Sequence, residues 1–459
     1  MNTGTRTFKR AVLTTMTVLV GATTSLWAAG AADLPDYVIE EFGHPPPVPT
    51  GDLAPEMQFA VRVAFADSVL LKTWDENQEQ ALAAIAASGD PRLAWLIADL
   101  LRFVPARELH VKLSNAAGTL LGKEFPLDNN WGEITDHLMA WDVPAPPDYL
   151  KVKRTIFTGL VPGWERIFQE GDIDWRIVSW GGVLIDDRAY DTTDILCNCI
   201  PAADNPDVSS AEEATWLEDD DIVFGIEING EARAYPRQIM EVREMVNDTL
   251  GGRDLGIPYC TLCGAAQAYF TDDLPAGVER PILRTSGLLS RSNKVMYDVK
   301  TYSVFDTFLG HAVTGPLAEK GVKLEQAAVI TTEWGAWKEA HPDTTVLLER
   351  YALGRDFDFR NGRDAGGPIF PVGDVDPRLG VHDDVIGIVA ASGTPVAFPR
   401  GAALLALARG EEVGFENIRI VQDAGGLKAV DSNGADLGSH QAFWFAWSQF
   451  HPDTALWLP

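Results

Sequence analysis

The chain reads as an α+β protein. A small N-terminal helical domain, HEAT-like in pattern, precedes a β-rich, internally duplicated domain. Three observations predict this. Apolar residues recur at helical spacing within Glu56 to Phe103. Beyond residue 173, short strand-like runs are broken by Gly, Asp and Asn. Two patterns in that β-rich part each occur twice, in the same order.

Residues 1–32 read as a secretory signal peptide. Arg6, Lys9 and Arg10 form a basic start, Ala11 to Trp27 is apolar, and Ala28-Ala29-Gly30-Ala31-Ala32 supplies small residues for cleavage. The apolar run is short for a spanning helix, and no later stretch is long and apolar enough to be one. No cysteine follows the cleavage region, which argues against a lipid anchor. The mature chain is therefore expected to be periplasmic or secreted, where disulfides persist. The full sequence carries 37 basic and 66 acidic residues, net −29; without the three basic residues of the leader, 34 stand against 66, net −32. Such a surface repels nucleic acid and anionic membrane, and suits a metal ion or small-molecule partner.

Residues 33–150 form the helical domain. A Pro-rich lead-in (Pro35, Pro45, Pro46, Pro47, Pro49) gives way to helix from Glu56. The Ala-rich run Gln80 to Ala87 stops at Ser88-Gly89-Asp90-Pro91. There Asp90 can cap and Pro91 can open the next helix, which carries Leu93, Leu96, Ile97, Leu100 and Leu101. Trp131 to Trp141 predicts another helix, and Val143-Pro144-Ala145-Pro146-Pro147 a stiff joint. One or two such units cannot build a solenoid, so this domain is expected to pack against the rest or to dock a protein partner.

Residues 173–350 form the first β-rich copy and 351–459 a shorter second copy. Val223 to Ile228, Asn229-Gly230 and Ala232 to Pro236 predict a hairpin, because Asn-Gly favours the tight turn that joins twisted strands. Gly225-Ile226 leading to Tyr235-Pro236-Arg237 recurs as Gly387-Ile388 leading to Phe398-Pro399-Arg400. Trp334-x-x-Trp337-x-x-x-His341-Pro342-Asp343-Thr344 recurs as Trp444-x-x-Trp447-x-x-x-His451-Pro452-Asp453-Thr454. The interval from Pro236 to His341 is 105 residues, against 52 from Pro399 to His451. The extra residues of the first copy hold Cys260 and Cys263, so the first copy is expected to be functional and the second a structural partner.

Other motifs point to a family. Ile200-Pro201-Ala202-x-Asp204-Asn205-Pro206, Glu227 to Pro236, Val246-Asn247-Asp248-Thr249, Tyr259-Cys260-x-Leu262-Cys263-Gly264, Ser286-Gly287-Leu288-Leu289 and Val295-Met296-Tyr297-Asp298 follow in order, ahead of the first Trp-x-x-Trp pattern. Together they resemble the bacterial family called domain of unknown function 3179, over about residues 175 to 459. The resemblance implies no activity. It marks two departures: Arg243 stands where relatives carry His, and Thr261 where they carry Pro within the cysteine pair. It also marks Cys197-x-Cys199 as a pair that relatives lack, one able to compensate for a lost ligand.

The chain has four cysteines, in two clusters. Cys260 and Cys263, three apart, can clasp a soft metal or close a small disulfide. The leading expectation is a soft-metal site, copper before zinc, for metal handling or as a metal redox centre. Cys260 and Cys263 would be its primary ligands, Met296 a thioether donor, and His311, Cys197 or Cys199 the completing ligand; His341 is a further imidazole. A second expectation is a non-catalytic binding or scaffold module with structural disulfides. In that case a cross-link between the clusters is favoured over a strained Cys-x-Cys bridge. A third is a thiol–disulfide oxidoreductase, with a helix starting at Gly264-Ala265-Ala266-Gln267 to lower a thiol pKa. Glu244, Asn247 and Asp248 are acid–base candidates, and Arg233 and Arg237 anion-binding ones. The sequence contains no Ser nucleophile elbow, HExxH, phosphate-binding P-loop or haem-attachment motif.

Overall fold

The structure, a computed structural model, describes residues 34–192, 197–348 and 367–459, and the backbone of Trp27–Ala28. The rest of the expected signal peptide, and the start of the second copy at 351–366, lie outside the described residues.

The protein mixes helices and sheets, with a helical region at its N-terminal side and short helices among the strands. Asp75 caps Glu76–Ala87 through a reciprocal bond with Gln78. Asp90 accepts the Arg92 amide at the next helix start, with Pro91 in the first turn, as the Ser-Gly-Asp-Pro break predicts. Ala94–Leu101 is buried on all sides, and Asn130–Ala140 matches the helix expected around Trp131. Three helices of this region depart from the sequence expectation, none with a side-chain cap: Asp36–Phe42, inside the Pro-rich lead-in, Arg107–Leu121 and Tyr149–Leu160. The last crosses the expected boundary at 150. The reason lies in the core, where Ile156, Phe157 and Trp164 pack in one cluster with Leu288, Val295 and Tyr297 of the β region. Trp164 also donates its indole N–H to the Ser286 carbonyl at 2.8 Å. Inside the helical core, Lys153 is fully buried against Asp99, with Nζ 2.6 Å from the carboxylate.

Among the described residues, five sheets follow in a propeller-like succession. The first runs His311–Ala312, Val304–Asp306, Asn293–Asp298, Leu283–Ser290 and Val178–Trp180, in hydrogen-bonded order. The second runs Gln326–Ala327, Ala268–Phe270, Arg253–Cys260, Met245–Leu250 and Ala203–Asp204. The third runs Ile330–Glu333, Ile222–Ile228, Glu231–Pro236, Thr345–Leu347 and Val208–Ser210; the fourth runs His440–Phe443, Asp384–Val389, Pro395–Pro399 and Ala455–Leu456. The fifth is the small meander Gly414–Phe415, Ile418–Asp423 and Gly426–Val430.

The third and fourth sheets carry the repeated sequence and share a plan. In each, two antiparallel strands form the centre, a third antiparallel strand flanks one side and a parallel strand the other. Asn229 and Gly230 turn the first hairpin with φ of 52° and 82°. The short helices Trp334–Ala340 and Trp444–Phe450 follow the flanking strands. Trp337 lies on Gly225 and Trp447 on Gly387, where any side chain would collide with the indole. Their indole N–H groups donate to Thr344 and Thr454 at 2.9 and 2.8 Å. His341 and His451 end the helices and stack on those same indoles, each with centroids 4.1 Å apart. The repeated Gly, Trp, His and Thr are thus one packing device used twice.

Candidate functional site

Arg253–Cys260 is a buried central strand that delivers Cys260 to its end. The chain then turns tightly: Cys263 N donates to Cys260 O, Gly264 adopts φ 59°, and Ala265–Ala266 pair back onto Cys260 and Tyr259. The turn is a hairpin, which corrects the expectation of a helix starting at Gly264. Gly264 is required there twice over, by its left-handed backbone and by the Phe443 ring, 2.9 Å from where a Cβ would stand. Phe443 N also donates to Cys263 O at 2.8 Å. The first copy supplies the thiols, and the second holds and buries them. Cys260 and Cys263 share a cluster with Val385, Ala397, Phe443 and Trp447.

Both thiols are free and buried. Their sulfurs are 2.8 Å apart, with Cys260 Sγ also 3.6 Å from Ser292 O and Cys263 Sγ 3.8 Å from Ser292 Oγ. The two titrate in opposite directions. Burial raises the Cys260 pKa, but the Cys263 thiol, the Lys294 charge and the Lys294 backbone N–H outweigh it, and the net shift is down. For Cys263, burial and the interaction with Cys260 add together, and its pKa is pushed up. The pair is therefore asymmetric, with the Cys260 pKa lowered and the Cys263 pKa raised.

Lys294 is the residue that sequence reasoning missed. It sits in the buried strand Asn293–Asp298, and its Nζ bonds Glu244 Oε2 at 2.9 Å and Glu244 O at 2.6 Å. A lysine in an otherwise buried strand was the available signal. Glu244 follows the helix Arg237–Arg243 with φ 49° and accepts the Thr261 hydroxyl at 3.3 Å. Thr261 therefore links the cysteine turn to the Lys294–Glu244 pair. Arg243 donates to Pro201 O at 3.2 Å. A cavity of about 230 Å³ opens onto Cys260, lined also by Glu241, Glu244, Lys294, Ile200, Leu288 and Phe370. Phe370 arrives on a segment tied to the helical region: Asp136 Oδ1 accepts the amides of Val372 and Gly373 at 2.7 and 2.8 Å.

The other expected ligands lie elsewhere. Cys197 and Cys199 are bonded to each other, their Cα atoms 5.1 Å apart. This corrects the preference for a cross-link between the clusters, because the backbone there reaches bridging distance on its own. While that bond stands, neither sulfur is a thiolate donor. Met296 is fully buried in a cluster with Met245, Tyr269, Leu283 and Phe305, distinct from the cluster of the thiols. His311 is half-buried at a sheet edge, its pKa lowered by burial and by Lys323. His341 lies on Trp337, 3.8 Å from Glu227. Among the described residues, no group of three or more His, Cys, Asp or Glu side chains is placed to hold a metal ion. Asn247 bonds Asp204 and Leu283, while Asp248 accepts from Arg233 and Tyr235, so both serve the fold.

The model of a family described as protein of unknown function (DUF3179) matches residues 197–438, more than half of the chain. The chain belongs to that family. The matched stretch holds both cysteine pairs of this DUF3179 protein, together with Glu244 and Lys294. No curated protein and no solved structure matches the chain.

Proposed function

We propose that Cys260 and Cys263 form a thiol–disulfide redox centre that exchanges two electrons with a small disulfide or thiol. The observation that carries this is the asymmetric pair itself: two free thiols with sulfurs 2.8 Å apart, one of them, Cys260, at the wall of a cavity and with its pKa lowered. In the reducing direction, Cys260 thiolate attacks one sulfur of a substrate disulfide. The substrate S–S bond breaks, and the leaving thiolate takes up a proton. Cys263 then gives up its proton and attacks Cys260 Sγ. The mixed disulfide breaks, the second substrate thiol leaves, and a Cys260–Cys263 disulfide remains. The protein dithiol is oxidised by two electrons and the substrate disulfide reduced by two. Lys294 stabilises the thiolate, and Glu244 holds Lys294 in place. Export to an oxidising compartment belongs to this proposal and is supported by the Cys197–Cys199 disulfide. The helices, read as a HEAT-like packing unit, anchor the Phe370 segment over the cavity.

A soft metal, copper before zinc, is the second reading, favoured by two free buried thiols within reach of a single ion. It requires the sulfurs to part, since two thiolates on one tetrahedral zinc stand roughly 3.8 Å apart when each Zn–S bond is about 2.3 Å.

The test is a redox titration of the full mature protein with alkylation and mass mapping, beside elemental analysis. A reversible two-electron change confined to Cys260 and Cys263, at a potential between about −120 and −300 mV, is the expected result. No such change sinks the redox reading. Stoichiometric copper or zinc, lost in the Cys260→Ser, Cys263→Ser protein, establishes the second.

A further inference from the structure

A second, larger cavity of about 360 Å³ lies where the two repeated units meet, and it is lined by a matched pair of cations. Arg237 follows Tyr235-Pro236 and Arg400 follows Phe398-Pro399; each opens the helix after the second strand of its unit's antiparallel hairpin. The repeat thus brings one sequence position to the cavity from both units. Arg237 shares Glu241 at 3.4 Å. The Arg400 guanidinium has no ion-pair or hydrogen-bond partner among the described residues, although the side chain is partly buried. Three carboxylates, Glu241, Glu333 and Asp384, line the same space.

We infer that this cavity binds the amino-acid end of the small thiol or disulfide on which the cysteine pair acts. A wholly anionic ligand would meet three carboxylates, and a wholly cationic one two guanidinium groups. A zwitterion satisfies both, with its carboxylate forked onto Arg400 and its ammonium on the acidic side chains. The volume falls in the range of small-ligand sites, about 300–1,000 Å³. Glu241 and Thr261 belong to the walls of both cavities, so the charged end and the sulfur chemistry share a boundary. The inference rests on the redox reading for the ligand's sulfur, and on the cavity alone for its charges.

The test uses the full mature protein and two probes. Lanthionine, the thioether analogue of cystine, reports binding without redox chemistry. Calorimetry is expected to show it binding the native protein, at least tenfold more weakly in Arg400→Gln, with partial recovery in Arg400→Lys. No binding to the native protein, or equal binding to both, overturns the inference. Thiol exchange is then followed with cystine and with neutral hydroxyethyl disulfide. The ratio of their kcat/KM values is expected to fall at least tenfold in Arg400→Gln. An unchanged ratio overturns the subsite while leaving the redox centre standing. Lanthionine binding without reduction of either disulfide sinks the redox reading and leaves the zwitterion site.

Discussion

Replacing Asp136 with Asn should make the protein more stable at pH 8 and leave it unchanged near pH 4. Asp136 is half-buried, and its desolvation is the main cause that raises its pKa from 3.8 to about 7; the amides of Gly373 and Val372 pull it down and Glu133 pushes it up. In the folded protein the carboxyl therefore keeps its proton over a range in which the unfolded chain has lost it. Below about pH 4 both states are protonated and the stability it contributes is fully present. That contribution is lost as pH rises from 3.8 to about 7, and above 7 the loss is complete. The span, 7 minus 3.8, corresponds to about 4 kcal/mol at about 1.4 kcal/mol per pKa unit. Asn is nearly isosteric, carries no charge, and keeps the acceptor, because both amides donate to Oδ1 alone. Urea unfolding of both proteins at several pH values between 4 and 8 measures the difference, which isolates this group from every other titration. Parallel stability curves for the two proteins would refute the reasoning. The same change bears on the site, since Asp136 holds the segment that brings Phe370 to the cavity over Cys260.

Other perturbations have defined outcomes. Alkylation with iodoacetamide should modify Cys260 well below the pH of an ordinary thiol, and Cys263→Ala should slow it about tenfold at pH 7, from a lost hydrogen bond to a charged sulfur of about 1.5 kcal/mol. Equal rates would mean that Cys263 does not stabilise the thiolate. Lys294→Met should also slow this alkylation, and a faster reaction would contradict the assigned charge effect. Gly225→Ala and Gly387→Ala should each destabilise by about 1–3 kcal/mol through collision with Trp337 and Trp447; denaturant midpoints that move for only one of them would refute the common packing device. Lys153→Met should cost about 3–5 kcal/mol in urea unfolding, because it strands the Asp99 carboxylate in the helical core.

Much of this was legible where the sequence repeats or punctuates itself. Asn229-Gly230 announced its hairpin because few residues take two consecutive positive φ angles. Ser88-Gly89-Asp90-Pro91 announced a helix break because cap and N1 residues are local requirements. The paired Trp-x-x-Trp and His-Pro-Asp-Thr patterns located two equivalent sheets, since Gly, Trp, His and Thr meet within each of them. The helices Arg107–Leu121 and Tyr149–Leu160 escaped notice because neither has a capping side chain and each is fixed by tertiary burial.

The thiol site divides along the same line. That Cys260 and Cys263 stand together was readable from their spacing, but their surroundings are set by residues far away in the chain. Lys294 and Ser292 arrive from another sheet, and Phe443 comes from the second copy, 180 residues beyond Cys263. No local pattern encodes such contacts. The shorter copy, read from sequence as a structural partner, acquires a specific task. It supplies the amide that fixes Cys263, the ring that forces a glycine at 264, and the arginine that faces its counterpart across the larger cavity. A duplicated fold in which one copy keeps the thiols and the other shapes their surroundings explains why the two have diverged in length while keeping the same packing device. The junction between the units brings both arginines and the cysteine turn to the walls of one cavity.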